Sequence, residues 1–171
     1  MKEKILKITK ELIPYVIVIV IALFIRTYIA SPVRVDGKSM NNTLINGDIL
    51  ILNKLDRSYE RFDVVVIDIG ETKIIKRIIG LPGESVEYKD NKLYINKKIV
   101  DSRDFEYTSD FSLEELYGYA ILPNDCYFVI GDNRDNSYDS RYPEIGLIKK
   151  NQIKGVTKLR IWPLNKIGSI K

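Results

Sequence analysis

The chain has 171 residues, with 27 Lys and Arg against 23 Asp and Glu for a formal net charge of +4, and it contains no histidine. A Ser-His-Asp triad and a His-ligated metal site are therefore excluded, and the single cysteine, Cys126, excludes an internal disulfide and a Cys-rich metal cluster. The charges are spread along the chain without a dense basic run, so no nucleic-acid partner is expected, and nothing implies a metal or other cofactor.

Residues 12–30 are almost wholly apolar, broken only by Pro14, Arg26 and Thr27. As a helix they span about 28 Å, close to the hydrocarbon thickness of a bilayer. Pro14 is expected in the first turn, where a missing N–H costs little, and Arg26 reaches back toward the head groups. Lys2, Lys4, Lys7 and Lys10 precede the span against Glu3 and Glu11, and positive residues stay in the cytoplasm. The expected organisation is a cytoplasmic basic N-terminus over 1–11, a transmembrane anchor over 12–30 and an extracytoplasmic domain over 31–171, single-pass in the cell membrane. A cleaved signal peptide, cut near Ala30-Ser31, is the rival reading, but the run is long for one.

Beyond the anchor the chain reads as mainly β, with 11 tyrosines and several β-branched runs. Strands are expected at Ser31 to Asp36, Ile49 to Leu52, Val64 to Ile67, around Lys76, at Cys126 to Ile130 and at Gly155 to Ile161. Val86-Glu87-Tyr88 and Leu93-Tyr94-Ile95 flank Lys89-Asp90-Asn91-Lys92 as a hairpin. An insert is expected over about 85–121. Within it Asp101 to Asp104 reads as loop, and Ser112 to Gly118 as a turn or two of helix with Ser112 and Glu115 forming a capping box. Cys126 reads as a small core residue.

Two residues carry the chemistry: Ser39, in Gly37-Lys38-Ser39-Met40, and Lys76, in Lys76-Arg77-Ile78-Ile79-Gly80-Leu81-Pro82-Gly83. A serine hydroxyl needs a base to become a nucleophile, and without histidine a neutral lysine can serve. The lysine must lose affinity for its proton, which burial among apolar groups achieves. Strand alternation places Ile74 and Ile78 on the Lys76 face, where they exclude water. The loop Gly131 to Arg141 is dense in groups that hydrogen-bond backbone and one another.

Taken together, these runs resemble type I signal peptidases, membrane-anchored serine proteases that cleave signal peptides from exported proteins. Ser39-Met40-Asn41-Asn42-Thr43-Leu44 resembles the family's Ser-Met-x-Pro-Thr-Leu block, Gly47-Asp48 the next one, and Lys76 to Glu84 the lysine block. Gly131 to Arg141 resembles its Gly-Asp-Asn-Arg-x-Asn-Ser-x-Asp-Ser-Arg signature, and the single span and short insert resemble the Gram-positive form. The resemblance implies a β-rich catalytic domain with a small inserted β-hairpin region, exported preproteins as substrates and a phospholipid membrane as partner. It implies Ser39 as nucleophile and Lys76 as general base. Ser137 orients Lys76, Asp139 and Arg141 brace the Ser137 loop, and Asp132 belongs to the same network. Val35, Met40 and Ile75 would line shallow pockets for small side chains one and three residues before the cut.

Two positions depart from the family pattern. Gly37 lacks the hydroxyl that often completes the oxyanion hole, leaving Ser39 N–H to act with another donor, and Asn42 stands where proline is usual. They leave room for a different class of protein, a non-proteolytic or dedicated assembly factor or chaperone for surface proteins. A self-cleaving repressor, which shares the Ser–Lys pair, requires a DNA-binding head where this chain has an apolar span.

Overall fold

The computed structural model describes residues 2–70, 72–100 and 107–170, residues 2–9 by their backbone alone. The loop expected at Asp101 to Asp104 and the side chains of Lys2, Lys4 and Lys7 lie outside the described residues.

The chain opens with helix α1 (Lys2–Phe24), continued as a π-helical turn over Ile25–Ile29. Lys10–Ile29 is long and apolar enough to cross a membrane by length and composition, and none of it is buried against the protein. The helix begins well before residue 12, so Pro14 lies inside it rather than in its first turn. The reason is propensity: Lys2 to Glu11 is rich in Lys, Glu, Ile and Leu, which carry the helix backwards through the basic segment.

The main sheet joins β1 (Ala30–Arg34), β2 (Ile49–Asn53), β3 (Val64–Asp68) and β4 (Lys73–Gly80) with strands from later in the chain. A smaller sheet follows, built from β5 (Val86–Lys89), β6 (Lys92–Ile95), β7 (Lys98–Val100) and β8 (Phe111–Ser112). Helix α2 (Leu113–Tyr117) carries the Ser112–Glu115 capping box and ends on Gly118 in the left-handed region. Strands β9 (Cys126–Ile130), β10 (Ile148–Lys149), β11 (Ile153–Trp162) and β12 (Gly168–Ser169) return to the main sheet. Its order is β1-β2-β11-β3-β4-β9-β10 with β12 on β11, and the small sheet runs β7-β6-β5-β8. Its first hairpin turns at Asp90 and Asn91, with φ of 50° and 58°, the double left-handed step of a type I′ turn.

Three apolar clusters hold the domain together. One, around Phe128, Ile130 and Tyr88, joins the two sheets. A second, around Val65, Ile78 and Val129, takes Ile74 and covers one face of β3 and β4. The third joins Val35, Met40, Leu44, Leu50 and Val64, with Ile75 against it. Strand alternation is visible here: Ile74 and Ile78 go to one cluster while Ile75 goes to another. Cys126 is buried.

One topological detail positions the site. Strand β9 pairs with β4 only at Arg77, Ile78 and Gly80. Among the described residues, Lys73 to Lys76 thus have β3 on one side and no strand on the other, and β1 is an edge strand beside β2.

Candidate active site

Ser39 sits, half-buried, in the turn that follows β1. Two contacts from the loop after β9 fix the backbone there. Asn133 N–H donates to the Ser39 carbonyl at 3.0 Å, and Asn133 Nδ2 donates to the Lys38 carbonyl at 3.0 Å. Gly131 lies between this turn and Ser137. A Cβ there would collide with both the Ser39 carbonyl oxygen and the Ser137 hydroxyl, so only glycine allows the two serine-bearing segments to close on one point.

Lys76 reaches that point from β4 and is 3% exposed. Its Nζ donates to Ser137 Oγ at 3.1 Å, and Ser137 Oγ donates onward to Asp139 Oδ2. Asp139, wholly buried, also accepts from Gly131 N–H at 3.0 Å and from Arg141 Nε at 2.9 Å. Arg141 in turn donates to the carbonyls of Arg134, at 2.7 Å, and Ser137, at 3.3 Å. The Asp139–Arg141 pair thus fixes the loop that presents Ser137 to the lysine.

Burial pushes the Lys76 amine down from an ordinary 10.5 to about 8. The nearby Asp139 and Asp132 charges oppose that shift and Arg141 assists it. Desolvation dominates because a charged ammonium at this depth gives up its water without a carboxylate in contact. A neutral amine that donates one N–H to Ser137 still has its lone pair free to accept a proton.

The Asp132 expectation needs refinement. Asp132 pairs with Arg77, through Nε at 2.8 Å and Nη2 at 2.6 Å, away from the Asp139–Arg141 pair. Arg77, 1% exposed, also donates to the Phe62 carbonyl at 2.8 Å and to Thr43 Oγ1 at 3.4 Å. It therefore ties β4 to the Ser39 turn and to the Gly131 loop at once. Thr43 is held again from the other side, where Arg160 donates to its carbonyl at 3.2 Å and to Asp48 Oδ2 at 2.8 Å. Sequence reading gave no role to Arg77, Asn133 or Arg160. Arg77 had a signal: in a strand buried on both faces, the neighbour of a buried lysine is buried as well and needs a carboxylate.

Val35 and Met40 are buried, at 3% and 2% exposure, and Ile75 is half-buried against them. The three are together, as a packed floor.

The turn after Ser39 takes a form that proline cannot. Thr43 N–H donates to the Met40 carbonyl at 3.2 Å, and Asn42 has φ of 85°. A left-handed third residue is the signature of a type II turn, which favours Gly or Asn there, whereas proline is fixed near −65°. The Asn42 departure therefore comes with a different backbone. Gly37, with φ of 99°, directs its N–H to Asn46 Oδ1 at 3.1 Å.

A family model described as signal peptidase, peptidase S26 matches residues 8–162. A signal peptidase I of Bacillus caldolyticus is 39% identical across 91% of this chain and 92% of the relative. Signal peptidase I S of Bacillus subtilis (strain 168) is 39% identical across 97% of this chain and 94% of its own length. The crystal structure of a signal peptidase I from Enterococcus faecalis V583 superposes with a TM-score of 0.52 at 38% identity, over 58% of this chain and 96% of that one. The chain belongs to the signal peptidase family, peptidase S26.

Proposed function

We propose that this chain is a membrane-anchored serine endopeptidase that removes signal peptides from exported preproteins, with Ser39 as nucleophile and Lys76 as general base. The observation that carries the reading is the buried amine: Lys76, its proton affinity lowered to about 8, is held by the Ser137 hydroxyl, which crowds Gly131 together with the Ser39 carbonyl. That poise is what a general base working near neutral pH requires.

The lone pair of Lys76 takes the Ser39 hydroxyl proton as the oxygen adds to the scissile carbonyl. The resulting ammonium gives that proton to the leaving amine as the C–N bond breaks. The amine, neutral again, then takes a proton from water as its oxygen attacks the ester, and returns it to Ser39 as the acid is released. Ser39 N–H supplies one donor to the developing oxyanion. Ser137 holds the lysine rotamer, and the Asp139–Arg141 pair holds Ser137.

The free edges of β1 and of Lys73 to Ile75 suit an extended substrate that adds as a strand. With Val35, Met40 and Ile75 packed as a floor, the site has room for small side chains one and three residues before the cut. The helix over Lys10–Ile29 exposes an apolar surface all round, which a bilayer covers. With the basic N-terminus inside, the catalytic domain stands outside, tethered where signal-peptide ends emerge, which raises effective substrate concentration.

The assembly-factor reading is not favoured, because the nucleophile and base are both retained. The test is cleavage of a preprotein by the full chain in vesicles. Wild type is expected to release the mature N-terminus, and Ser39→Ala to release none. Equal cleavage by Ser39→Ala, or none by wild type, would overturn the reading.

A further inference from the structure

Ser137 lies in the loop between β9 and β10, with Arg134 three residues before it and Ser140 three after. Both flanking residues are buried, at 3% and 0% exposure, and both are bonded to the unit formed by the small sheet and α2. Arg134 Nη1 donates to Tyr88 Oη at 3.0 Å and to Thr108 Oγ1 at 2.8 Å. The Ser140 carbonyl accepts from Tyr117 Oη at 2.7 Å. Tyr88 lies in β5, Thr108 just ahead of β8 and Tyr117 in α2.

These three residues are themselves fixed. The Tyr88 ring packs on Phe111 with centroids 5.3 Å apart, and Phe111 stacks on Phe128 of β9 at 5.5 Å. Thr108 N–H donates to Asn91 Oδ1, in the turn of the first hairpin, at 2.9 Å. Burial, and then the Asp139 and Glu144 charges, push the Tyr117 phenol up to about 12, so it stays a donor throughout the range in which Lys76 titrates. Both attachments lead to Lys76 by short routes. The Arg134 carbonyl accepts from Arg141 Nη2 at 2.7 Å, and Arg141 pairs with Asp139, to which Ser137 donates. Ser140 follows Asp139 directly.

We propose that the small sheet braces the proposed base: Tyr88, Thr108 and Tyr117 are positioning residues that grip the Ser137 segment at both ends and keep Lys76 aimed and covered. The proposal rests on the reading of Ser39 and Lys76 as nucleophile and base. Its physical content is desolvation, which is what lowers the amine's affinity for its proton. A loop released at either end lets water reach the amine and lets that affinity rise. Contacts that merely joined the two sheets would instead affect the protein alike at every pH.

The test is the pH profile of peptide cleavage by the full chain and by the double variant Tyr88→Phe/Thr108→Val, which removes both hydroxyls and keeps the ring and the branched side chain. At pH 7 kcat should fall about tenfold, and at pH 10 it should return to within about twofold of wild type, with KM within about twofold throughout. The reason is that a midpoint raised by about one pH unit costs neutral amine only below it. The charged groups that face Lys76, namely Asp139, Arg141 and Asp132, are unchanged in the variant. Tyr117→Phe, at the other end of the segment, should act in the same way with a loss of about threefold. Thr108→Ser, which keeps the hydroxyl, and Tyr119→Phe, at an exposed tyrosine, should match wild type. Titration of a ¹⁵N-labelled Lys76 amine reads the same effect without turnover, as a midpoint raised in the double variant. If the double variant does not fold, Tyr117→Phe carries the test by the same two readouts. A loss of kcat equal at pH 7 and pH 10, or a Lys76 midpoint that none of these variants moves, overturns the proposal. Wild type that cleaves no peptide counts against the peptidase reading instead, and the amine titration then decides the brace alone.

Discussion

Lys76 and Arg77 are neighbours in β4, both cations and both almost fully buried, and the two faces of that strand treat charge in opposite ways. On one face Arg77 meets Asp132 through two hydrogen bonds, with Phe62 and Thr43 accepting others. On the other, Lys76 meets a serine hydroxyl, and the nearby carboxylate of Asp139 is itself occupied by Arg141. A buried cation with a bidentate carboxylate keeps its charge and becomes a structural tie. A buried cation facing a hydroxyl loses its grip on the proton and becomes a base. One strand thus places a structural tie and the proposed base side by side.

Substitution separates the two roles most sharply. Lys76→Met should lower kcat/KM by at least about 10⁴-fold, as loss of a base in a nucleophile–base pair does, while the fold persists and gains stability. Arg77→Met should do the reverse in kind. Leaving Asp132 buried and unpaired should cost roughly 3–5 kcal/mol in denaturant unfolding, with activity falling as a consequence of lost structure. If Lys76→Met unfolds the protein and Arg77→Met does not, the assignment of roles is inverted.

The pH dependence of stability is the next test in size. The folded amine titrates at about 8 and the ordinary value is 10.5, so between them the unfolded chain holds the extra proton. Lys76 therefore destabilises the fold by about 3 kcal/mol at neutral pH, and this penalty is relieved as pH rises from 8 toward 10.5. The difference in unfolding free energy between wild type and Lys76→Met should shrink over that window. Taking the difference removes Tyr117, which burial pushes up to about 12, and the raised Cys126 thiol. A difference that is constant with pH would mean a normal lysine.

Much of this was legible in the residues. The absence of histidine pointed to a neutral lysine as base, and the Ser39, Lys76 and Gly131 to Arg141 runs carried the family resemblance by their types and order. Continuous apolar runs marked β3 and β9, because strands buried on both sides need no polar alternation. What was not legible depended on partners distant in sequence. Asp132 and Arg77 stand 55 residues apart, and nothing local distinguishes that pair from Asp139–Arg141. Asn133 looked like one more turn residue until its two bonds to the Ser39 turn were seen. Val35 and Met40, expected from the resemblance to line shallow pockets with Ile75, are buried and pack with it, a contact that spans at least 35 residues of sequence and no local pattern announces.

The smallest expected effect concerns the turn after Ser39. Restoring the family's proline with Asn42→Pro should destabilise by more than about 1 kcal/mol, since φ of 85° is closed to that ring. Asn42→Gly should change stability by no more than about 0.5 kcal/mol. Thermal unfolding of both variants is the check, and a stabilising Asn42→Pro would show that the turn adopts another form.

The most direct measurement is the titration of the Lys76 amine itself, by NMR of the full chain carrying ¹⁵N-labelled lysine, with Lys76→Met to assign the signal. A midpoint near 8, matched by the rise of kcat/KM with pH, is the predicted result. A midpoint near the ordinary 10.5, with turnover already maximal at neutral pH, would contradict it.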